Sequence, residues 1–317
     1  MTPREFYRQW ANEKTTLPIF LQPWWLDAVC PDGTWDIAIV QNKDQKLIAA
    51  LPFYRFNKKG IDVIGMPFLT PYMGIYIDYP AGQKLTTRND YEKELIDQLT
   101  AQIPRVTYFQ QKFFPPFQYG LPFFWKGYRL DWRYTYYLSL QKSKEELWDM
   151  MEGSARTQYQ KTSKIVSVEK SDDTGTLYRL VNMTFNKQGL KTPYSLLQFD
   201  RLYNAVKAHS SGQIYLARIN DSKQAVAGMF MVKDQDRVYN LVLGRDHVQD
   251  PGGSIHGILW TCIQEHLSTH NIFDFEGSML EGPERMFRSF GSERIPVLQV
   301  TKYKSRWWKA MFALIGK

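Results

Sequence analysis

Apolar residues recur at every second position in some short runs and at steps of three and four in others, so strands and helices interleave along the chain. The second half shows this most clearly. Ser143 stands as an N-cap with Glu146 in the capping-box position, which predicts a helix over 145–164 and then a short β-run over 165–168. Helices are expected over 177–187 and 196–209, separated at Pro193. Segments 214–219 and 225–233 read as a hairpin about a polar turn, and a third strand, 238–243, leads through a Gly-rich loop into a helix over 255–267. Strand 272–275, helix 284–290 and strand 295–301 complete this half.

The first half predicts a hairpin of 35–40 with 46–56, a strand over 61–65, a helix over 88–100, and strands over 105–110 and 134–140. Two aromatic stretches, 66–79 and 113–125, either line a groove or pack in the core, and packing is the commoner use of such residues. Segment 38–49 matches segment 217–228 at a constant offset without gaps. A tandem duplication explains the match; chance likeness of two β-hairpins is the alternative. With 317 residues the chain suits two domains, placed at 1–142 and 143–317.

Hydrophobic residues make up 44% of the chain and aromatics 15%, enough for real cores and too much for disorder. Cys30 and Cys262 are the only cysteines, so neither a disulfide scaffold nor a cysteine-rich zinc site is expected. The first twenty residues carry no signal-peptide pattern, and a cytoplasmic location is expected. The formal charge of +8 favours anionic partners. Because the excess is dispersed, phosphate recognition fits it better than sequence-specific reading of nucleic acid.

The most informative stretch is Ile272-Phe273-Asp274-Phe275-Glu276-Gly277-Ser278, followed by Phe287-Arg288-Ser289-Phe290-Gly291. A buried strand ends in acids, and acids at a strand end face either a cleft or open solvent. Together with Phe20-Leu21-Gln22-Pro23-Trp24-Trp25-Leu26, Trp125-Lys126-Gly127-Tyr128, Arg133-Tyr134-Thr135-Tyr136 and the run Arg156 to Lys164, these motifs resemble the Fem-type and CelD-like tandem GNAT N-acyltransferases. The resemblance covers nearly the whole chain. It implies an α+β fold of two GNAT-like domains, each a mixed, mostly antiparallel sheet flanked by helices. It also implies transfer of an acyl or aminoacyl group from an activated donor, with acyl-CoA preferred, to an amine of a phosphate-bearing or cell-envelope acceptor. Peptidoglycan-bridge members usually have lysine where this chain has Arg288, and the long helical arm of some members is missing.

Such a transfer needs a neutral amine beside an activated carbonyl and donors aimed at the oxyanion, and no enzyme nucleophile. Glu276 or Asp274 is the expected proton acceptor, and strand alternation would place both on one face. Arg288 would clamp a phosphate or polarise the carbonyl, and Tyr239 would donate to substrate unless it is core. Arg245, Gly252, Gly253 and Ser254 fall where GNAT enzymes cradle the pyrophosphate of coenzyme A at a helix start. Arg156, Lys161 and Lys164 would grip an anionic acceptor, or form a solvated face. Cys262, His266 and His270 recur every fourth residue on one helix, too extended for one metal ion, and no metal is expected. The tail over 303–317 is basic, then apolar, and too short to span a bilayer; it either lies at the inner membrane face near a lipid-linked substrate or docks on its own protein. An aminoacyl-tRNA-dependent bridge-forming transferase is the enzyme alternative. The non-enzymatic alternative is a silent module that binds membrane or polyanion.

Overall fold

A computed structural model describes residues 1–14, 16–30 and 35–315. They form two compact units, Met1–Arg133 with Pro296–Lys317, and Tyr134–Ile295. The division falls at 133/134, where 142/143 was expected, and the last strand is counted with the first unit. Hydrogen bonding is the reason: strand β12 (Glu293–Tyr303) pairs antiparallel with β5 (Tyr108–Lys112), setting Val300 against Gln111, and Leu298 and Val300 enter the first core.

The first unit opens with α1 (Pro3–Asn12), whose capping box joins Thr2 and Glu5, and α2 (Pro23–Val29). Strands β1 (Trp35–Gln41), β2 (Leu47–Lys58) and β3 (Ile61–Gly65) follow; the short β4 (Tyr76–Ile77) pairs with β2, and α3 (Leu85–Gln102) precedes β5. Helix α4 (Leu121–Trp125) leads into β6 (Arg129–Ser139). The sheet order is β1-β2-β3-β5-β12, antiparallel except for β3 with β5. Part of each aromatic stretch goes to the core, where Tyr72, Met73, Phe113, Phe117 and Phe123 are buried.

In the second unit, the helix expected over 145–164 is two helices, α5 (Lys144–Met150) and α6 (Gly153–Thr162). Ser143 and Glu146 do form the capping box. The break comes at Met151 and Glu152, which are extended, and the Glu152 N–H donates to the Ser289 carbonyl at 2.8 Å. Next come β7 (Val166–Ser171), α7 (Thr174–Lys187), α8 (Leu196–Ala208), β8 (Gly212–Ile219), β9 (Ala225–Lys233), β10 (Arg237–Arg245), α9 (Ser254–Glu265), β11 (Ile272–Asp274) and α10 (Glu281–Arg288). The order β6-β11-β10-β9-β8-β7 is antiparallel throughout except that β11 runs parallel to β10. Met229, Met231 and Val238 on one face join Leu259 and Cys262 of α9 in a core. On the other face α7 lies against β10 so closely that a Cβ on Gly244 would come within 2.4 Å of the Val181 nitrogen.

Both expected hairpins form, as β1–β2 and β8–β9, but the gap-free offset does not survive. Ala38 pairs with Leu51, thirteen residues on, whereas Ala217 pairs with Ala227, ten residues on, so the second hairpin closes three residues sooner. The tail is helix α11 (Arg306–Ile315); residues 316 and 317 lie outside the described residues.

Candidate active site

Strand β10 is nine residues long, yet it pairs with β11 only through Arg237↔Ile272, Val238↔Phe273 and Tyr239↔Asp274. Past Tyr239 the two strands part. On its β9 side the register of β10 shifts between Asn240 and Val242, which bends the strand at that point. On the other side β11 stops because Glu276 and Gly277 adopt left-handed backbone, with φ of 57° and 59°. Gly277 is confined to glycine twice over, since an added Cβ would stand 1.9 Å from the Tyr134 carbonyl oxygen. Pairing between the two strands therefore ends at Tyr239↔Asp274, while β10 continues to Arg245.

Asp274 is the last paired residue of β11 and is fully buried. Its Oδ1 accepts from the Thr135 hydroxyl at 2.5 Å and from the Glu276 backbone N–H at 2.8 Å. The expected arrangement, with both acids on one strand face, is corrected: the strand ends at Asp274, and the left-handed turn carries Glu276 away from the alternation while Asp274 holds its backbone. Register places Tyr137, Asp274 and Tyr239 in one row across β6, β11 and β10. Arg237, also buried, donates to Tyr137 and Asp236, and the Tyr239 hydroxyl donates to Asp234 Oδ2 at 2.9 Å. Burial pushes the Tyr239 phenol well above its ordinary range, and Asp234 adds to the rise. Tyr239 is therefore core, not exposed to substrate. Thr135 entered only as part of the Arg133–Tyr136 motif, and Tyr137, Asp234 and Arg237 were not singled out in the sequence. The signal was there in part, because Thr135 and Tyr137 alternate along a strand, but only the cross-strand register brings them to Asp274.

The Phe287-Arg288-Ser289-Phe290-Gly291 motif is first a packing device. Phe287 and Phe290 lie 5.3 and 5.5 Å from the Phe275 ring, and a Cβ on Gly291 would stand 2.7 Å from Met150. Arg288 is 55% exposed and faces two acids, Glu284 at 3.3 Å and Glu152 at 3.9 Å; Glu284 also accepts from the Tyr136 hydroxyl at 2.6 Å. It belongs to a surface ion-pair cluster, and its charge is answered there.

The expected phosphate loop is filled by its own carboxylates. Asp246 Oδ1 accepts from the Val248 and Gln249 N–H groups, and Asp250 Oδ1 accepts from the Gly252 N–H and the Ser254 hydroxyl. Arg245 lies 3.3 Å from Asp250 Oδ2, so the cation expected at a pyrophosphate is paired within the loop. Gly252 and Gly253 are left-handed as their positions demand. A Cβ on Gly253 would stand 2.4 Å from the Thr162 hydroxyl, and that hydroxyl donates to the Gly252 carbonyl. Helix α6 thus presses its end against the loop, and Ser254 is fully buried.

Arg156, expected to grip substrate, donates to the Trp148 and Asp149 carbonyls at 3.1 and 3.3 Å, where a cation closes the C-terminus of α5. Lys161 is exposed on the last turn of α6, and Lys164 is exposed beyond its end, so the three do not form one helical face. His266 Nδ1 lies 2.8 Å from the Cys262 carbonyl, and the His266 and His270 rings pack at 5.2 Å. Among the described residues no group of three His, Cys, Asp or Glu is placed to hold a metal ion.

No family model and no curated protein matches the sequence. Solved structures do. The fold is similar to that of FemX, at 12% identity and a TM-score of 0.67 with 100% of this chain and 99% of that chain covered. It is also similar to L-PGS from Bacillus licheniformis, at 11% identity, TM-score 0.57 and coverage of 100% and 98%. A tandem GNAT protein from the clavulanic acid biosynthesis pathway matches at 8% identity and TM-score 0.56, over 96% of each chain. The chain therefore has the Fem-type tandem GNAT fold, an α+β architecture built on mixed sheets, as the sequence motifs implied.

Proposed function

We propose that this protein is an acyltransferase that moves an acyl or aminoacyl group from an activated ester or thioester to an amine, and that the transfer takes place where β10 and β11 part. The supporting observation is the parallel pairing that ends at Tyr239↔Asp274 while β10 continues to Arg245. A carbonyl held there would meet backbone donors of β10 past Tyr239, where β11 no longer runs. Glu276, just past the end of β11, is the proposed base; Asp274 is a positioning residue that fixes Glu276 through its backbone N–H. The amine lone pair forms the new C–N bond, Glu276 takes the amine proton, and the C–O or C–S bond to the donor breaks with its electron pair leaving on oxygen or sulfur.

Of the two donors expected from the sequence, the loop favours an aminoacyl ester over a coenzyme A thioester. Asp246 and Asp250 already accept three backbone N–H groups and the Ser254 hydroxyl. Two carboxylates in that position repel a pyrophosphate. A phosphate-bearing or lipid-linked amine remains the proposed acceptor, on the chain's formal charge of +8.

The test is product formation from a panel of acyl-CoAs and aminoacyl-tRNAs with an amine-bearing phosphorylated acceptor, read by mass spectrometry. Turnover abolished by RNase and by Glu276→Gln supports the reading. Turnover that survives RNase and consumes acyl-CoA moves the donor to coenzyme A, and turnover unaffected by Glu276→Gln removes the proposed base.

A further inference from the structure

Helix α4 turns its apolar side outward. Leu121, Phe124 and Trp125 stand 48%, 59% and 57% exposed, while Pro122 and Phe123 are buried. Spacings of three and four residues put the exposed three on one face. Helix α11 belongs to the same unit and exposes Trp307 by 64%. Strand β12, which runs into α11, is tied to the end of α4: Lys302, four residues before α11, donates from Nζ to the Lys126 carbonyl at 2.9 Å, directly after α4, and stands 4.6 Å over the Tyr128 ring.

The two segments that carry this face hold charge of one sign. Residues 98–130 and 294–317 contain no Asp or Glu, and both segments carry Lys and Arg. Lys126 is answered by Asp97 of α3 at 3.0 Å, but Lys304, Arg306 and Lys309 are exposed in a segment without an acid. Large apolar residues exposed together on a soluble surface mark an interaction site. Tryptophan and phenylalanine beside a set of cations is the composition that settles at a headgroup boundary, the rings among the glycerol and acyl groups and the cations at the phosphates.

We propose that the α4–α11 face of the first unit docks peripherally on an anionic phospholipid surface, with Phe124, Trp125 and Trp307 entering the headgroup layer and Lys304, Arg306 and Lys309 meeting lipid phosphates. No helix among the described residues is long and apolar enough to cross a membrane, so the contact is one of lying on the surface. The inference does not depend on the proposed transfer reaction, because its readout is binding.

The test is sedimentation of the full chain with vesicles of phosphatidylcholine alone and of phosphatidylcholine with about one third phosphatidylglycerol, at low and high salt. The expected result is binding to the anionic vesicles that weakens with salt and drops about tenfold in Phe124→Ser/Trp125→Ser, a change at exposed positions that leaves the thermal midpoint in place. Lys304→Gln/Arg306→Gln/Lys309→Gln should abolish the preference for phosphatidylglycerol. Three results would each overturn the proposal: no sedimentation with anionic vesicles, equal sedimentation of the folded double variant, or a dimer in light scattering that the double variant dissociates. The last would make the face a contact between copies of this chain.

Discussion

The carboxylate of Asp274 holds the backbone N–H of Glu276 at 2.8 Å, so the residue that ends β11 also fixes the turn that carries the proposed base. The same oxygen accepts the Thr135 hydroxyl from β6, which locks the turn to the neighbouring strand. One buried acid therefore joins β6, β11 and the turn after β11 at the place where β11 stops pairing with β10.

Removing that acid should cost stability as well as turnover. Asp274→Ala leaves a buried hydroxyl and a part-buried N–H without their acceptor, a loss of about 3 kcal/mol in urea unfolding. Glu276→Gln should leave the thermal midpoint nearly unchanged while kcat falls about 100-fold, with KM little affected. Equal losses of stability in the two variants would show that Glu276 is structural.

Gly277→Ala should destabilise the protein by at least about 3 kcal/mol, because the methyl group meets the Tyr134 carbonyl and the left-handed backbone disfavours it. Gly282→Ala is the control. No atom lies within 4 Å of its Cβ position, and the change should fall within about 0.5 kcal/mol of neutral.

Coenzyme A should produce no thermal shift in the wild-type protein, since Asp250 already takes the Gly252 N–H and the Ser254 hydroxyl. Asp250→Ala should lower stability by about 1 to 3 kcal/mol by leaving these donors unmet. A saturable shift of several degrees by coenzyme A in the wild-type protein would contradict the reading of the loop.

Acid should weaken the fold through its histidines. Burial pushes the His270 imidazole down to about 4, and repulsion from His266 and Lys233 adds to the shift, while Asp236 and a bond to the Asp234 backbone oppose it. His266 moves in the same direction, again chiefly by burial. A histidine whose folded pKa lies below its unfolded value of about 6.5 binds its proton more readily unfolded, so its contribution is present above that value and is lost as pH falls from about 6.5 to about 4. Since His270 is partly exposed, screening limits the loss to about 1 kcal/mol. Chemical denaturation across that range should show the decline, and His270→Gln should flatten part of it.

Much of the framework was legible in residue order because it rests on local chemistry. Ser143 and Glu146 cap α5 as expected, both polar turns close hairpins, and Ile272 and Phe273 form a strand. The misreadings have two sources, a distant segment that intervenes and a nearby partner that takes up a charge. The helix expected over 145–164 breaks because the Glu152 N–H is taken by the Ser289 carbonyl, far along the chain. Arg156 and Arg245 look like free cations in the sequence, and both are consumed by local partners, the end of α5 and Asp250.

By itself the sequence determined the order and type of most elements and the motifs that resemble tandem GNAT proteins, since periodicity, capping and turn chemistry act over a few neighbouring residues. Only the tertiary structure decided which charges meet. It put the last strand beside β5, placed Asp274 between Tyr137 and Tyr239, and left Phe124 and Trp125 in solvent. The physical reason is that strand register and burial are set by contacts between residues far apart in the chain, and the preference of a single residue carries no record of its partner across the sheet.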